Sequence, residues 1–431
     1  MTATAPTPTS LDLTDGPGLT CRHCGDELRQ SVADLGMHPP CQSVVQPEDR
    51  WNSEKVYPLH AFVCGSCRLV QIDAVVPPEE IFTEYAYFSS FSTSWLEHAS
   101  RYADAMTERF GLGRESTVVE IASNDGYLLR NFVEKGIPCL GVEPAANVAK
   151  AAEEVGVPTR VAFFGEEEAR AMRAEGIGAD LIAGNNVFAH TPHLNSFVAG
   201  LAVLLNEPTA ERSGGVITLE FPHLVRLMEG NQFDTIYHEH FSYFSFTTAE
   251  RIFAAYGLTI FDVEELPTHG GSLRIYGRHA SDESRPVSDA VHSLRQREAD
   301  WGVDDDATYR AFADRVRQTK HNLLRFLLEA AAEGKTVAGY GAAGKGNTML
   351  NACGIKPDLV QYTVDRNPYK QDTYIPSARL PVFAPETIFE TRPDYVLILP
   401  WNLRDEIAEQ MRGIREWGGQ FVVPIPEVEV F

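Results

Sequence analysis

The sequence predicts an α/β protein: a small cysteine-knuckle head, a central Rossmann-like domain and a smaller C-terminal Rossmann-like α/β domain. Three observations predict it. Two CxxC pairs stand near the start, strand–loop–helix alternations run on from TVVEI, and a second alternating run begins at Lys335. Alternation of this kind builds a parallel sheet covered by crossover helices. A length of 431 residues fits three units at roughly 150 residues each.

Composition narrows the function. The formal net charge of -23 repels phosphate backbones, so nucleic acid is excluded as a partner. A local pocket can still take a single nucleotide. No apolar run approaches the roughly 20 residues of a membrane span, so no membrane partner is expected. The opening MTATAPTPTSLDLTDGPG has neither a basic nor an apolar signal region. Residues 1–18 read as a disordered leader, and the protein is expected in the cytoplasm. In that reducing compartment the seven cysteines are not disulfides.

The head is expected over residues 19–76, with short β-like runs such as YPLHAFVC and a boundary at Pro77-Pro78. Cys21-Arg-His-Cys24 and Cys64-Gly-Ser-Cys67 are paired knuckles. Two CxxC turns offer four thiolates to one tetrahedral Zn²⁺, and four thiolates leave no open position for catalysis. A zinc-binding, structural subdomain follows, with Gly25 and Gly65 suiting the tight turns. His23 and Cys41 are spare ligands and read as bystanders.

The middle domain is expected over residues 77–281. A helix, SWLEHASRYADAMTERF, precedes the strands TVVEI, PCLGVEP, ADLIAGNNVF and GGVITLEF. LTIFDVEEL and GSLRIYGR read as a closing antiparallel hairpin. After the strand ending at Ile121, a small polar loop turns into a helix. It contains Ser123, Asn124, Asp125 and Gly126, and Gly126 lets backbone approach a ligand closely. Glu143 ends the second strand, where a carboxylate accepts both hydroxyls of an adenosine ribose. The loop lacks GxGxxG, so NAD fits poorly. It looks like the ExxxxDG form of the first S-adenosylmethionine (SAM) methyltransferase motif, with Glu120, Asp125 and Gly126 in place. Asn185 and Asn186, at the end of a third strand, are expected in the same pocket.

Tyr237-His238-Glu239-His240 sits between Ile236 and Phe241. HxH can belong to a metal site, but no carboxylate-rich partner motif stands nearby. The chemistry suits enolisation instead. Histidine takes a proton from carbon beside a ketone, and tyrosine hydrogen-bonds the developing enolate oxygen. Glutamate orients the histidine or anchors the substrate. If the segment were extended, His238 and His240 would share a face, so a turn is needed to bring one of them alone to the substrate.

Residues 282–431 form the third unit. A polar helical stretch leads to GYGAAGKGNT, a glycine loop at a helix N-terminus, which suits an anion. Alone it is a weak signal, and a second coenzyme is the alternative. Gly341, Lys345, Asn347, Thr348 and Asp365 are its candidate substrate-binding residues, with Asn367 facing the same crevice.

Taken in order, the CxxC…CxxC head, EIASNDGYLL, NNVFAH, YHEHFSYFS, THGGSLRIYG and GYGAAGKGNT…VDRNPYKQ resemble the sugar C-methyltransferases of antibiotic deoxysugar pathways. The resemblance covers nearly the whole chain. It implies SAM and structural zinc as cofactors and a dTDP-linked 4-keto-deoxysugar as the substrate. It implies methylation at C-3′ through an enolate, with C-5′ as the rival carbon and a non-catalytic zinc scaffold as the rival class. It makes His240 the base and places Tyr85, His190, Tyr237 and Glu239 in the same site, with Tyr237, helped by His190, expected to stabilise the enolate. The stretch 206–213 looks longer than the family's usual turn and reads as a surface loop. The oligomeric state stays open.

Overall fold

The computed structural model describes residues 18–77, 80, 88–209 and 212–431. Residues 1–17 of the expected leader, Tyr85, and residues 210–211 of the long turn lie outside them.

In the head, β1 (Gln30–His38), β2 (Tyr57–Val63) and β3 (Val70–Ile72) form an antiparallel meander. Leu59, Ala61 and Val63 bury alternate positions of β2, the period of a strand with one covered face.

The middle domain opens with α1 (Thr93–Phe110). The Ser92 hydroxyl accepts the Trp95 N–H at its start, and Gly111 stops it in the left-handed conformation. Then come β4 (Val118–Ile121), α2 (Leu129–Glu134), β5 (Cys139–Val142), α3 (Ala146–Glu154) and β6 (Thr159–Arg160). After α4 (Glu166–Ala174) lie β7 (Leu181–Asn185), α5 (Leu194–Leu204), β8 (Val216–Pro222) and α6 (Leu224–Glu229). The chain goes on through β9 (Ser242–Tyr243), α7 (Phe246–Ala255), β10 (Leu258–Leu266) and β11 (Ser272–His279).

Seven of these strands make one sheet in the order β10-β11-β8-β7-β4-β5-β6. β11 runs antiparallel to both neighbours, and the other pairs are parallel. The order reverses between β4 and β7, which opens a crevice at their carboxyl ends. β9 is absent from this sheet. It pairs with β3 of the head, Val70 opposite Tyr243. No local pattern marks this pairing, because two residues are too few to show a period.

Two helices follow, α8 (Asp289–Trp301) and α9 (Asp306–Ala332). The last unit holds β12 (Val337–Tyr340), α10 (Gly344–Cys353), β13 (Thr363–Val364), β14 (Val382–Phe383) and α11 (Thr387–Thr391). It ends with β15 (Tyr395–Ile398), α12 (Arg404–Gln410), β16 (Gln420–Val423) and β17 (Glu429–Val430). Its sheet, β14-β13-β12-β15-β16-β17, is parallel except at β17.

The three units share cores. One apolar cluster joins Val32 and Leu59 of the head, Phe312 and Leu323 of α9, and Leu350 and Val360 of the last unit. Val45 also pairs with Tyr374 by an antiparallel bridge. Among the described residues no helix is long and apolar enough to cross a membrane.

Candidate active site

The four knuckle cysteines converge, with all four sulfurs within 4.8 Å of one another. Cys21–Cys67 and Cys24–Cys64 each stand 3.5 Å apart. Zn–S bonds of 2.3 Å set the edges of a tetrahedron at about 3.8 Å, so the donor set fits zinc. The Gln71 amide donates to the Cys21 sulfur at 3.2 Å, as suits a thiolate. Gly25 takes the left-handed conformation expected of it, with φ 79°. Gly65 does not: in the second knuckle the left-handed residue is Arg68, with φ 64°. His23 is held by Asn195 of α5 at 2.9 Å, and Cys41 lies elsewhere, beside Glu239.

The polar loop after β4 folds under the crevice. Gly126 is left-handed, and a Cβ there would crowd Val157 at 3.0 Å. Gly141 is glycine for space: a Cβ would meet the Ser123 hydroxyl. Glu143 reaches across from β5. One carboxylate oxygen accepts the Asn124 N–H at 3.0 Å and the other the Ala145 N–H at 2.9 Å. Each oxygen keeps a lone pair for a further donor. Asn124 and Asp125 in turn accept the N–H groups of Ser89 and Ser90, tying the segment before α1 to the loop. The Ser123 hydroxyl and one Asp125 oxygen are buried with no partner among the described residues. Such orphaned groups suit a polar ligand. Burial, with Glu143 and Asp125 nearby, pushes the Glu120 carboxyl well above the usual range. Asn185 donates to the Tyr127 hydroxyl at 3.4 Å, and Asn186 is left-handed, with φ 55°.

Tyr237 to His240 form a turn, closed by the His240 N–H on the Tyr237 carbonyl at 2.9 Å. The turn separates the histidines. His238 leaves toward the head, to the Pro58 carbonyl at 3.2 Å, while His240 faces Tyr237 and His190. Nδ1 of His240 stands 3.0 Å from the Thr235 carbonyl, and Nε2 stands 3.0 Å from the Tyr237 hydroxyl. A carbonyl only accepts, so Nδ1 carries the proton and Nε2 holds the lone pair. The orienting role suggested for Glu239 is thus filled by Thr235, and Glu239 accepts from the Cys41 thiol at 3.4 Å. Burial pulls His240 well below the ordinary histidine range, and His190 adds to this; burial pulls His190 itself down to about 4. Both rings are neutral at pH 7.

The glycine loop of the last unit meets this cluster. A Cβ on Gly344 would lie 3.0 Å from the Cys41 sulfur and 3.8 Å from the Tyr237 ring. Gly341, with φ 100°, passes so close to Pro400 that a Cβ would approach within 2.5 Å. Lys345 lies over the Trp401 ring at 4.6 Å and donates to Asn402. Asn347, Thr348 and Asp365 are turned inward. They bond to the Cys41 carbonyl, the Ile236 carbonyl and the Ala342 N–H, and so fasten the loop to the head and to the segment that leads into the Tyr237–His240 turn.

Several residues escaped the sequence. Glu220, fully buried at the end of β8, accepts from Arg274 at 2.8 Å, His98 at 2.9 Å and Thr268 at 2.9 Å. Burial pushes its carboxyl up, but the His98 bond and the Arg274 charge outweigh it, and the net shift is downward. An acid closing an apolar strand is also the signature of Glu120 and Glu143, so GGVITLEF held the clue. Asp234, raised to about 6 by burial, accepts the Trp401 indole N–H at 2.8 Å. That bond joins two units, and no local pattern announces it.

Three family models match the chain: a zinc binding domain over residues 21–82, a methyltransferase domain over 95–263 and a C-methyltransferase C-terminal domain over 267–426. The chain is 36% identical over 410 residues to the C-methyltransferase NovU of Streptomyces niveus, covering 95% of this chain and 96% of NovU. Among solved structures it is similar to the 1,6-didemethyltoxoflavin-N1-methyltransferase of Burkholderia thailandensis, at 17% identity and TM-score 0.34, over 49% of this chain and 95% of that one. It is also similar to the magnesium protoporphyrin IX methyltransferase of Synechocystis PCC 6803 with bound SAM, at 13% identity and TM-score 0.33, over 48% and 99%. SAM is the cofactor, and the cysteine head is the zinc site. By its end-to-end identity with NovU and its three matched domains, the chain belongs to the SAM-dependent C-methyltransferases.

Proposed function

We propose that the enzyme methylates carbon C-3′ of a dTDP-linked 4-keto-deoxysugar in antibiotic deoxysugar biosynthesis. The observation that carries this is the Tyr237–His240 pair, with its lone pair on Nε2, set against the glycine loop of the last unit. C-methylation needs a carbon nucleophile, and a ketone supplies one when a base removes its α-proton.

Glu143 would hold the cofactor's ribose, above the loop of Ser123, Asn124, Asp125 and Gly126. Glu120, Asn185 and Asn186 would complete that pocket. Lys345 and the N-terminus of α10 would hold the diphosphate. Asn347, Thr348 and Asp365 keep that loop in place. SAM, when bound, supplies an electrophilic methyl group. His240 takes the proton on Nε2. The Tyr237 hydroxyl, released from Nε2 by that proton, turns to the enolate oxygen. His190 packs edge-on against His240, 4.6 Å between ring centres, and holds it in place. Glu239 and Tyr85 would anchor the sugar. The reaction belongs in the cytoplasm, where thiols stay reduced.

The test is incubation with SAM and a panel of dTDP-4-keto sugars, followed by mass spectrometry and NMR of the product. A new C-3′ methyl is expected. A methyl on oxygen, on nitrogen or at C-5′ refutes the assignment.

A further inference from the structure

His269 stands on the turn between β10 and β11, in the THGG motif. Its backbone is left-handed, with φ 54°, and Gly270 and Gly271 follow at φ 91° and 119°. The turn has no room to relax. A Cβ on Gly270 would meet Trp401 at 2.7 Å, and one on Gly271 would meet Arg226 at 2.9 Å. Opposite stands Asn186, also left-handed, whose amide nitrogen lies 3.0 Å from Nε2 of His269. Strained residues kept on two facing loops are a mark of functional sites.

The surroundings place His269 in the reaction cleft. Its side chain is solvent-accessible, yet the Trp95 ring lies edge-on to it, 5.6 Å between centres. Trp401, against which the neighbouring Gly270 packs, also carries Lys345 of the glycine loop over its ring. An amide nitrogen only donates, so Nε2 of His269 accepts from Asn186 and the ring proton sits on Nδ1. Among the described residues nothing accepts that Nδ1–H.

We propose that His269 donates a hydrogen bond through Nδ1 to the carbonyl oxygen of the acceptor sugar, as a second donor beside Tyr237. This rests on the keto-sugar function above. When His240 removes the α-proton, the C–H pair becomes the new C=C bond and the carbonyl pair moves to oxygen. A fixed N–H stabilises that oxyanion without giving up its proton. The carbonyl re-forms as the carbon takes the methyl group and the sulfur leaves with the C–S pair.

Two substitutions separate the ring nitrogens. The amide nitrogen of His269→Asn falls where Nδ1 stood, and asparagine accepts the left-handed backbone. The amide of His269→Gln falls where Nε2 stood. We expect His269→Gln to lower kcat/KM for the sugar by about 10²-fold, the typical loss for one oxyanion donor. His269→Asn should keep turnover within about tenfold of wild type, and SAM affinity by calorimetry should hold in both. The reverse order, equal losses, no loss, or weakened SAM binding would each overturn the proposal, since each makes the ring a mere support for Asn186 or a cofactor contact. Wild-type enzyme that methylates none of the sugars overturns the substrate assignment, and this inference with it.

Discussion

The Tyr237 hydroxyl lies 3.0 Å from Nε2 of His240, on the only nitrogen of that ring free to take a proton. Two substitutions test the pair. His240→Asn keeps a donor where Nδ1 meets Thr235 and removes the proposed base. Turnover should fall by about 10²–10⁴-fold, with both ligands still bound. Tyr237→Phe should slow turnover while leaving α-proton exchange with solvent deuterium measurable. His240→Asn exchanging that proton at the wild-type rate, with His238→Asn failing to, would show the base to be His238.

The pH profile carries a sign. A general base works while deprotonated, and both His240 and His190 are pulled below the ordinary range by burial. Activity should therefore persist as pH falls through the ordinary histidine value near 6.5, with the acid limb displaced well below it. An acid limb centred near 6.5 in kcat would contradict this.

Zinc and catalysis should fail together. β3 begins three residues after Cys67, and it carries β9, which begins two residues after His240. Cys64→Ser should release the metal, because binding here is folding free energy. Turnover should fall with the zinc content measured by elemental analysis. Full activity in a zinc-free preparation would break the link.

The ribose contact proposed for Glu143 is separable from its bonds to Asn124 and Ala145. Glu143→Ala should weaken SAM binding by about 1.5–3 kcal/mol, the usual worth of hydrogen bonds to a charged group. Calorimetry with the nucleotide sugar should show a much smaller change. Equal weakening of both ligands would leave Glu143 only its structural bonds to Asn124 and Ala145.

The Asp234–Trp401 bond should be measurable as a coupling. Trp401→Phe strips a donor from a fully buried carboxylate, at a cost of about 1–3 kcal/mol. Asp234→Asn in the same chain removes the charge, so the double variant should lose less than the sum of the singles. Strict additivity in denaturant melts would show the two side chains to be independent.

What the sequence showed and what it hid divide along range. The knuckles, the loop from Ser123 to Gly126 and the strand-end acids are local patterns, and each folds as its spacing implies. The hairpin β10–β11 was legible for the same reason. Hidden were the contacts that join distant segments: β9 on β3, Asn347 on Cys41, Trp401 on Asp234. The inward turn of Asn347, Thr348 and Asp365 was hidden too, because a polar residue beside a glycine loop looks alike whether it faces ligand or backbone. Gly65 misled in the opposite way: the left-handed demand fell on Arg68.

The sharing of strands and cores also bears on the order in which the chain is made. The head leaves the ribosome ahead of the other two units, yet its fourth strand is not synthesised until residue 243, and the apolar surface that covers β1 comes from residues beyond 300. For most of translation it is a sheet without its edge and a core without its lid. The knuckles alone are complete once residue 67 emerges. Early metal capture would thus hold the nascent segment compact through a long wait, a service to vectorial folding rather than to the finished enzyme.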